Sequence, residues 1–393
     1  MIAAEQTAPE GAIAVEELTD RAAIGALFGE WERLRAEVAA RGGTRGPFLS
    51  PTWISIFAAS LAGAESGRAL RLLIAHRQGR LAGILPLVAE RRRIAGLPAR
   101  VLRSLSDDHS DRFDALLDGE AAARAIFDHL ARDRSWDVLE LREAPVAAGA
   151  GIDRLVEIAR ARGQLLGEWP SLASPYLPLP SSVAELERGL AAKFRANLRR
   201  RARKLAAEVG PLALERLRPD ADSATIDRAL DDGFGLEAAG WKGEAGTAIA
   251  CDPALSARYR ALAHAFAARG QLALSFLTVG GARRAFHFAL IEDGVYYLLK
   301  PGYDPALASY GPGHLHLDLV ARALIEDGAR EIDLLGDDLP WKRDWTDRVR
   351  RHAWRYIVRP TPFGRALHAW KFRLAPVVKR LGQKLTQSLS RSE

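Results

Sequence analysis

Three groups of residues in this sequence have the types and spacing to do chemistry. In the first, Gly311, Pro312 and Gly313 stand between an apolar run and an amphipathic one, with Tyr310 before them and His314 after. Unpaired N–H groups at a helix start, added to the helix dipole, attract anions, and glycine lets the backbone close on a diphosphate with no Cβ in the way. The plain alternative is a loop-to-helix turn. In the second group, Asp337, Asp338 and Lys342 follow a short apolar run. A carboxylate there orients a nucleophile or takes its proton, and the lysine neutralises an acidic reactant; otherwise the three make a helix cap and a surface ion pair. The third is Trp241 and Lys242, in a glycine-bordered segment with Glu237 about one turn upstream. Such an indole stacks on a sugar or a purine, with a cation and a carboxylate beside it, or it staples the loop to the core. His287 alternates with Phe286 and Phe288, as a base or as a satisfied, partly buried group. His314 and His316 have no third ligand at a metal spacing, so no metal is expected.

The elements that must hold these groups follow from periodicity. The run LALSFLTVGGARRAFHFAL predicts strand, glycine turn, strand over 272–290, and DGVYYLLKPGY a third strand over 293–303. A helix is expected over 314–328 and a strand over 329–338. The first half shows the same grammar: two strands around Gln78-Gly79 within 71–93, a strand at 99–106, a helix at 120–132 and a strand at 136–143. Before them come two helices, over 17–41 and 48–61, the second with Ser50 as N-cap and Pro51 at its first position. The expectation is α/β (α+β): two tandem copies of one unit, each a mixed twisted sheet flanked by helices. The Pro- and Ser-rich stretch 169–182 reads as a linker between them, giving domains at 1–168 and 183–362 and a tail at 363–393. After the linker comes a long basic helix, about 183–208, interrupted at Gly189.

At 393 residues the chain is too long for one ordinary core. A single cysteine, Cys251, excludes an internal disulfide framework and a thiolate metal cluster. No signal-like N-terminus and no long apolar window occur, which points to the cytoplasm. The net charge of +7 concentrates in KFRANLRRRARK and from Trp341 onward, favouring a phosphate-bearing partner. In the basic helix Lys193, Arg195, Arg199, Arg200, Arg201, Arg203 and Lys204 surround Phe194, Leu198 and Leu205. That charge is a solvated face or a phosphate contact. In the tail, Leu367, Trp370, Leu374, Val377 and Val378 lie among lysines and arginines, as in an interfacial helix on an anionic leaflet or a tail packed on its own domain.

Strand, glycine loop, amphipathic helix and strand in this order resemble the acyl-CoA site of the GNAT acetyltransferase superfamily. The second half is similar to its cellulose-biosynthesis (CelD/BcsL-type) branch, related to the Fem-type peptidyltransferases. LAAKFRANLRRRARKLAAEVG, LEAAGWKGEAGTAI and IDLLGDDLPWKRDW carry the likeness. The last segment departs from the branch's pattern, with Asp338 for a glutamate and Trp341 for a tyrosine. The resemblance implies acetyl-CoA or another acyl-CoA as co-substrate. Its contacts would be Leu299, Lys300, Tyr310, Gly311, Pro312, Gly313 and His314. Asp338, Lys342, Asp337 and His287 become the catalytic candidates, and Glu237, Trp241, Lys242 and Tyr303 the acceptor contacts. The implied acceptor is a glycan or amino sugar of exopolysaccharide or envelope metabolism. A Fem-type transferase drawing on aminoacyl-tRNA, with the basic helix on RNA, is the alternative, as is a non-catalytic accessory of a polysaccharide synthase. The first half resembles a degenerate copy.

Overall fold

The computed structural model describes residues 13–61, 67–147, 149–240 and 246–375; Trp241 and Lys242, and the tail from residue 376 on, lie outside them. The chain forms two compact units. One runs to Ser171 and takes in the chain from Arg351 onward; the other is Leu172–Arg350. The described part of the tail, 363–375, is therefore part of the first unit, and the second ends earlier than the expected 362.

The first unit's strands are β1 (Ile13–Leu18), β2 (Ala69–Arg77), β3 (Arg80–Ile94), β4 (Leu97–Ser104), β5 (Leu116–Leu117) and β6 (Val138–Pro145). Residues 13–18 were expected in part as helix. Their exposure instead alternates along the strand, and β1 pairs antiparallel with β2. The meander β1–β2–β3–β4 is antiparallel, whereas β4 and β6 are parallel. Between them runs the helix Glu120–Arg132, the crossover that a parallel pair requires. The Ser50 side chain caps its helix by accepting from the Trp53 N–H at 3.1 Å.

The second unit repeats this order. Its strands are β7 (Leu165–Pro178), which leads in from the first unit, β8 (Leu212–Arg216), β9 (Leu272–Val279), β10 (Ala282–Glu292), β11 (Val295–Tyr303) and β12 (Glu331–Asp333). β8 to β11 form an antiparallel meander, β11 and β12 are parallel, and the end of β7 closes on β12. Residues 169–178, expected as linker, are thus strand. Proline fits where only its carbonyl is needed: the Pro175 carbonyl takes the Leu334 N–H at 3.0 Å. The last strand, β13 (Val349–Val358), pairs with β6.

Alternation along β10 separates two packed faces. Phe286 and Phe288 point to helices Ser223–Ala238 and Pro253–Ala267, where Tyr259 meets Phe288 edge-on. His287 points the other way, onto helix Pro312–Glu326. On that second face Leu198 and Leu205 of the basic helix (Ala192–Glu208) join Leu298, Leu315, Val320, Leu324 and Ile332 in one core. Each fully buried leucine there contributes about 2 kcal/mol. The basic helix keeps its expected apolar stripe and is parted from Val183–Gly189 by a break at Leu190 and Ala191.

Candidate active site

The site is built on a gap between two strands. β11 and β12 pair over three positions only, Val295 with Glu331, Tyr296 with Ile332 and Tyr297 with Asp333. Beyond them β11 runs on to Tyr303 paired with β10 alone. The register with β10 jumps at Leu299, where Phe288 faces Lys300 and Ala289 faces Leu298. An extra residue of this kind is a β-bulge, which bends a strand and aims its backbone elsewhere.

β12 stops for local reasons. The buried Asp333 carboxylate accepts the Leu335 N–H at 3.0 Å and pairs with Arg350 at 3.1 Å. Leu335 and Gly336 then turn left-handed, with φ of 47° and 51°. A leucine in that region is strained and persists only when its surroundings hold it. Lys342 supplies the hold: it is 5% exposed, and its Nζ donates to the Leu335 carbonyl and, at 2.8 Å, to that of Asp337. Expected as a charge facing a reactant, Lys342 is an internal tie. Asp338 makes a two-point ion pair with Arg343 at 2.9 and 2.6 Å, and Asp337 is exposed beside it.

At the far end of β11, Asp304 caps a short turn over Pro305–Tyr310. Gly311, at φ 65° and ψ 53°, is then the N-cap of the helix Pro312–Glu326. Its first turn carries no acidic residue. Arg201 of the basic helix lies against this start, its Nη1 2.8 Å from where a Cβ on Gly311 would stand. Glycine is needed here for both its φ and its missing Cβ. The Tyr303 ring forms a wall 3.8 Å from the equivalent point on Gly313. Helix dipole and guanidinium thus bring positive potential to one place.

His314 sits in an aromatic setting rather than free in solvent. Its Nδ1 accepts from Trp345 Nε1 at 3.1 Å, which leaves the proton of the neutral ring on Nε2, 3.5 Å from Asp344. The Phe194 ring meets both His314 and Trp345 edge-on. Burial lowers the His314 pKa, against Asp344, which raises it, while Arg201 lowers it further. Tyr310 donates to Glu208 at 2.6 Å, and Lys204 lies over its ring.

Glu237 is buried next to the exit of β11, its carboxylate accepting the Ile249 N–H at 2.8 Å. A Cβ on Gly302 would stand 2.8 Å from the Glu237 backbone, so the glycine sets how closely helix and strand pack. Lys300 Nζ lies 5.7 Å from the centre of the Tyr259 ring. The structure therefore gathers Glu237, Leu299, Lys300, Tyr303 and Tyr310–His314 around β11 and the helix it feeds.

His287 is elsewhere. It is 2% exposed and stacks on His316 at 3.9 Å, with Tyr296 Oη 3.3 Å from its Nδ1. Burial pushes its imidazole down to about 3. So weak an acceptor makes a poor base near neutral pH, and the ring is core. Arg201 is the residue that sequence reasoning left undistinguished among seven neighbouring cations.

The first unit has the same parallel pairing, Val101 with Val138 to Arg103 with Glu140. There the gap is filled. Ser104 Oγ takes the Arg142 N–H at 3.0 Å and contacts Ser106 Oγ at 2.8 Å. The following helix begins on Glu120, an acid where an anion would have to sit. Among the described residues, the second unit combines strand ends that no such side-chain bridge is seen to join with a helix start that meets a guanidinium.

Residues 192–343 match the family model described as an acetyltransferase (GNAT) domain. That segment runs from the basic helix to Arg343 and contains the gap, the glycine-led helix and the Asp337–Lys342 loop. Among solved structures the chain is similar to FemX, at 12% identity over 90% of this chain and 100% of that one, TM-score 0.55, which shows a shared fold. A tandem GNAT protein from the clavulanic acid biosynthesis pathway aligns at 17% identity over 89% and 100% of the two chains, TM-score 0.46. The C-terminal domain of a putative lysylphosphatidylglycerol synthetase from Agrobacterium fabrum aligns at 10% over 86% and 95%, TM-score 0.49. No curated protein matches. The second unit thus carries a GNAT acetyltransferase domain, and the chain is an acyltransferase of that type. GNAT domains use acyl-CoA, and among the described residues no His, Cys, Asp and Glu group is set to hold a metal.

Proposed function

We propose that the second unit transfers an acyl group, acetyl in the simplest case, from acyl-CoA to an amine or hydroxyl of a polar, saccharide-linked acceptor. The proposal extends to the cellulose-biosynthesis branch of the GNAT superfamily and to exopolysaccharide or envelope-glycan chemistry. The diphosphate sits on the Gly311–Gly313 turn against Arg201, between the walls of Tyr303 and Tyr310. The pantetheine arm enters the gap that β11 and β12 leave open, where its amides replace the missing strand partner. A main-chain N–H at the Leu299 bulge then polarises the thioester carbonyl.

The acceptor N or O attacks that carbon and a tetrahedral oxyanion forms. The C–S bond breaks, and the CoA thiolate takes a proton as the acceptor loses its own. Asp338, with Asp337 beside it, takes the acceptor's proton directly or through water. Glu237, Lys300 and Tyr303 line the acceptor's approach, and Trp241 and Lys242 are its further contacts by resemblance.

The observation that carries this reading is the end of β11–β12 pairing after three positions, beside a helix whose first turn holds no acid and meets Arg201. Calorimetry with acetyl-CoA tests it, together with Gly313→Asp, which sets a carboxylate against the diphosphate. Binding by the parent chain and none by the variant, at unchanged melting temperature, is the expected result. No binding of any acyl-CoA by the parent chain sinks the proposal.

The Fem-type reading has one feature in its favour: Lys193, Arg200 and Arg203 remain exposed on the basic helix, whereas Arg199 is paired with Glu187. Salt-sensitive tRNA binding without CoA binding would select it.

A further inference from the structure

We propose that the C-terminal helix of the first unit, with the β3–β4 hairpin beside it, docks on an anionic lipid leaflet. The helix Pro362–Ala369 continues as a wider turn over Trp370–Leu374, and burial divides it lengthwise. Leu367, expected on the interfacial face, is instead 1% exposed among Ile94, Val101, Tyr356 and Val358. Gly364 is equally fixed, since a Cβ there would meet the Arg359 carbonyl at 1.9 Å. The opposite stripe is open: Phe363, Trp370 and Leu374, at seven- and four-residue spacing, share one face. Leu374 is 53% exposed.

This stripe is held in place. Trp370 Nε1 donates to the Ala95 carbonyl at 2.8 Å, at the hairpin tip where Leu97 is also exposed. A lone exposed apolar side chain needs no explanation, but an anchored row with two aromatic members does.

Charge names the occupant. From Arg348 to Ser392 there are twelve Lys and Arg and no Asp or Glu. Arg365 and Arg373 flank the stripe, and Arg91 lies on the hairpin; none of the three pairs with a carboxylate among the described residues. No helix among the described residues is long and apolar enough to cross a membrane, so the contact is peripheral. Apolar and aromatic side chains at acyl depth, with arginines at the headgroups, match an anionic leaflet.

The test is co-sedimentation of the full chain with vesicles of phosphatidylcholine alone or with about 30% phosphatidylglycerol, at low and raised salt. Binding should be at least about tenfold tighter to the anionic vesicles and should weaken with salt. The pair Phe363→Asp and Leu374→Asp, and separately Arg365→Glu with Arg373→Glu, should each lower it about tenfold or more. All four positions are exposed, so melting temperature and acyl-CoA binding should stay as in the parent chain. A failure here is therefore distinguishable from a failure of the acyl-transfer proposal. Equal affinity for both vesicles, no affinity for either, or parent-like binding by the variants overturns the inference. A dimer in light scattering that Leu374→Asp dissolves, without vesicle binding, also overturns it and assigns the face to a second copy.

Discussion

Replacing Arg201 by alanine isolates one contribution to cofactor binding. The guanidinium lies at the start of the glycine-led helix, and among the described residues no carboxylate competes for it. A phosphate taken by the Gly313 N–H at ordinary hydrogen-bond length stands roughly 5 Å from that charge. At an effective dielectric of about 20, one such pair is attracted by roughly 3 kcal/mol. Arg201 is half-buried, so screening and retained water reduce this to about 1–2 kcal/mol. The expected result is a CoA dissociation constant raised about 5- to 30-fold. Calorimetry with acetyl-CoA, repeated with S-acetylpantetheine, separates the causes because the second thioester has no phosphate. Arg201→Ala should weaken the first and leave the second unchanged. Equal losses for both would mean that the arginine only supports the fold, and parent-like affinity for acetyl-CoA would refute the placement of the diphosphate.

Three further outcomes follow from named contacts. Lys342→Met removes both donors from the Leu335 and Asp337 carbonyls and should cost about 2–4 kcal/mol in urea unfolding; a parent-like midpoint would contradict the internal tie. Asp338→Asn keeps the size of the side chain and should lower kcat by about 100-fold or more with little change in KM, whereas an unchanged kcat assigns the proton to another group. The stacked His287 and His316 are held neutral by burial, both below the ordinary histidine range and His287 at about 3. Their stabilisation is complete above the unfolded value near 6.5 and declines as pH falls below it, for His287 down to about 3, by up to about 1.4 kcal/mol per pH unit for each ring. Urea midpoints from pH 7 to 5 should fall more steeply for the parent chain than for His287→Gln with His316→Gln, and matching slopes would refute this.

Much of the scaffold is legible in the sequence because its signals are local. Ser50-Pro51 starts a helix, Gln78-Gly79 turns a hairpin, and a glycine-proline pair marks where the key helix begins. What escaped reading depends on contacts between distant segments. The run IDLLG alternates as a longer strand would, yet β12 stops at Asp333 because that carboxylate binds the next turn and Arg350. Lys342 looks like a surface charge, since lysine is seldom buried; only the fold reveals the two carbonyls around its ammonium. Spacing places seven cations on the basic helix but cannot say which of them meets Gly311. The prolines of 169–178 suggested a connector, although a strand tolerates proline where only its carbonyl is needed.

The duplication sharpens the functional assignment, because each unit is a control for the other. Both follow a four-strand meander with a crossover helix and a parallel strand paired over three positions. Strand order by itself therefore does not make a cofactor site. In the first unit a serine hydroxyl closes the gap and a glutamate opens the helix. In the second the pairing ends at Tyr297, the helix opens on Gly311-Pro312-Gly313, and Arg201 arrives from outside the repeated strands and crossover helix. A helix start with a guanidinium and no acid in its first turn favours an anion, whereas the first unit's helix starts on Glu120, which Arg124 pairs. The difference between the copies thus rests on a few side chains, and under the proposed function those side chains are what would favour acyl-CoA at the second unit.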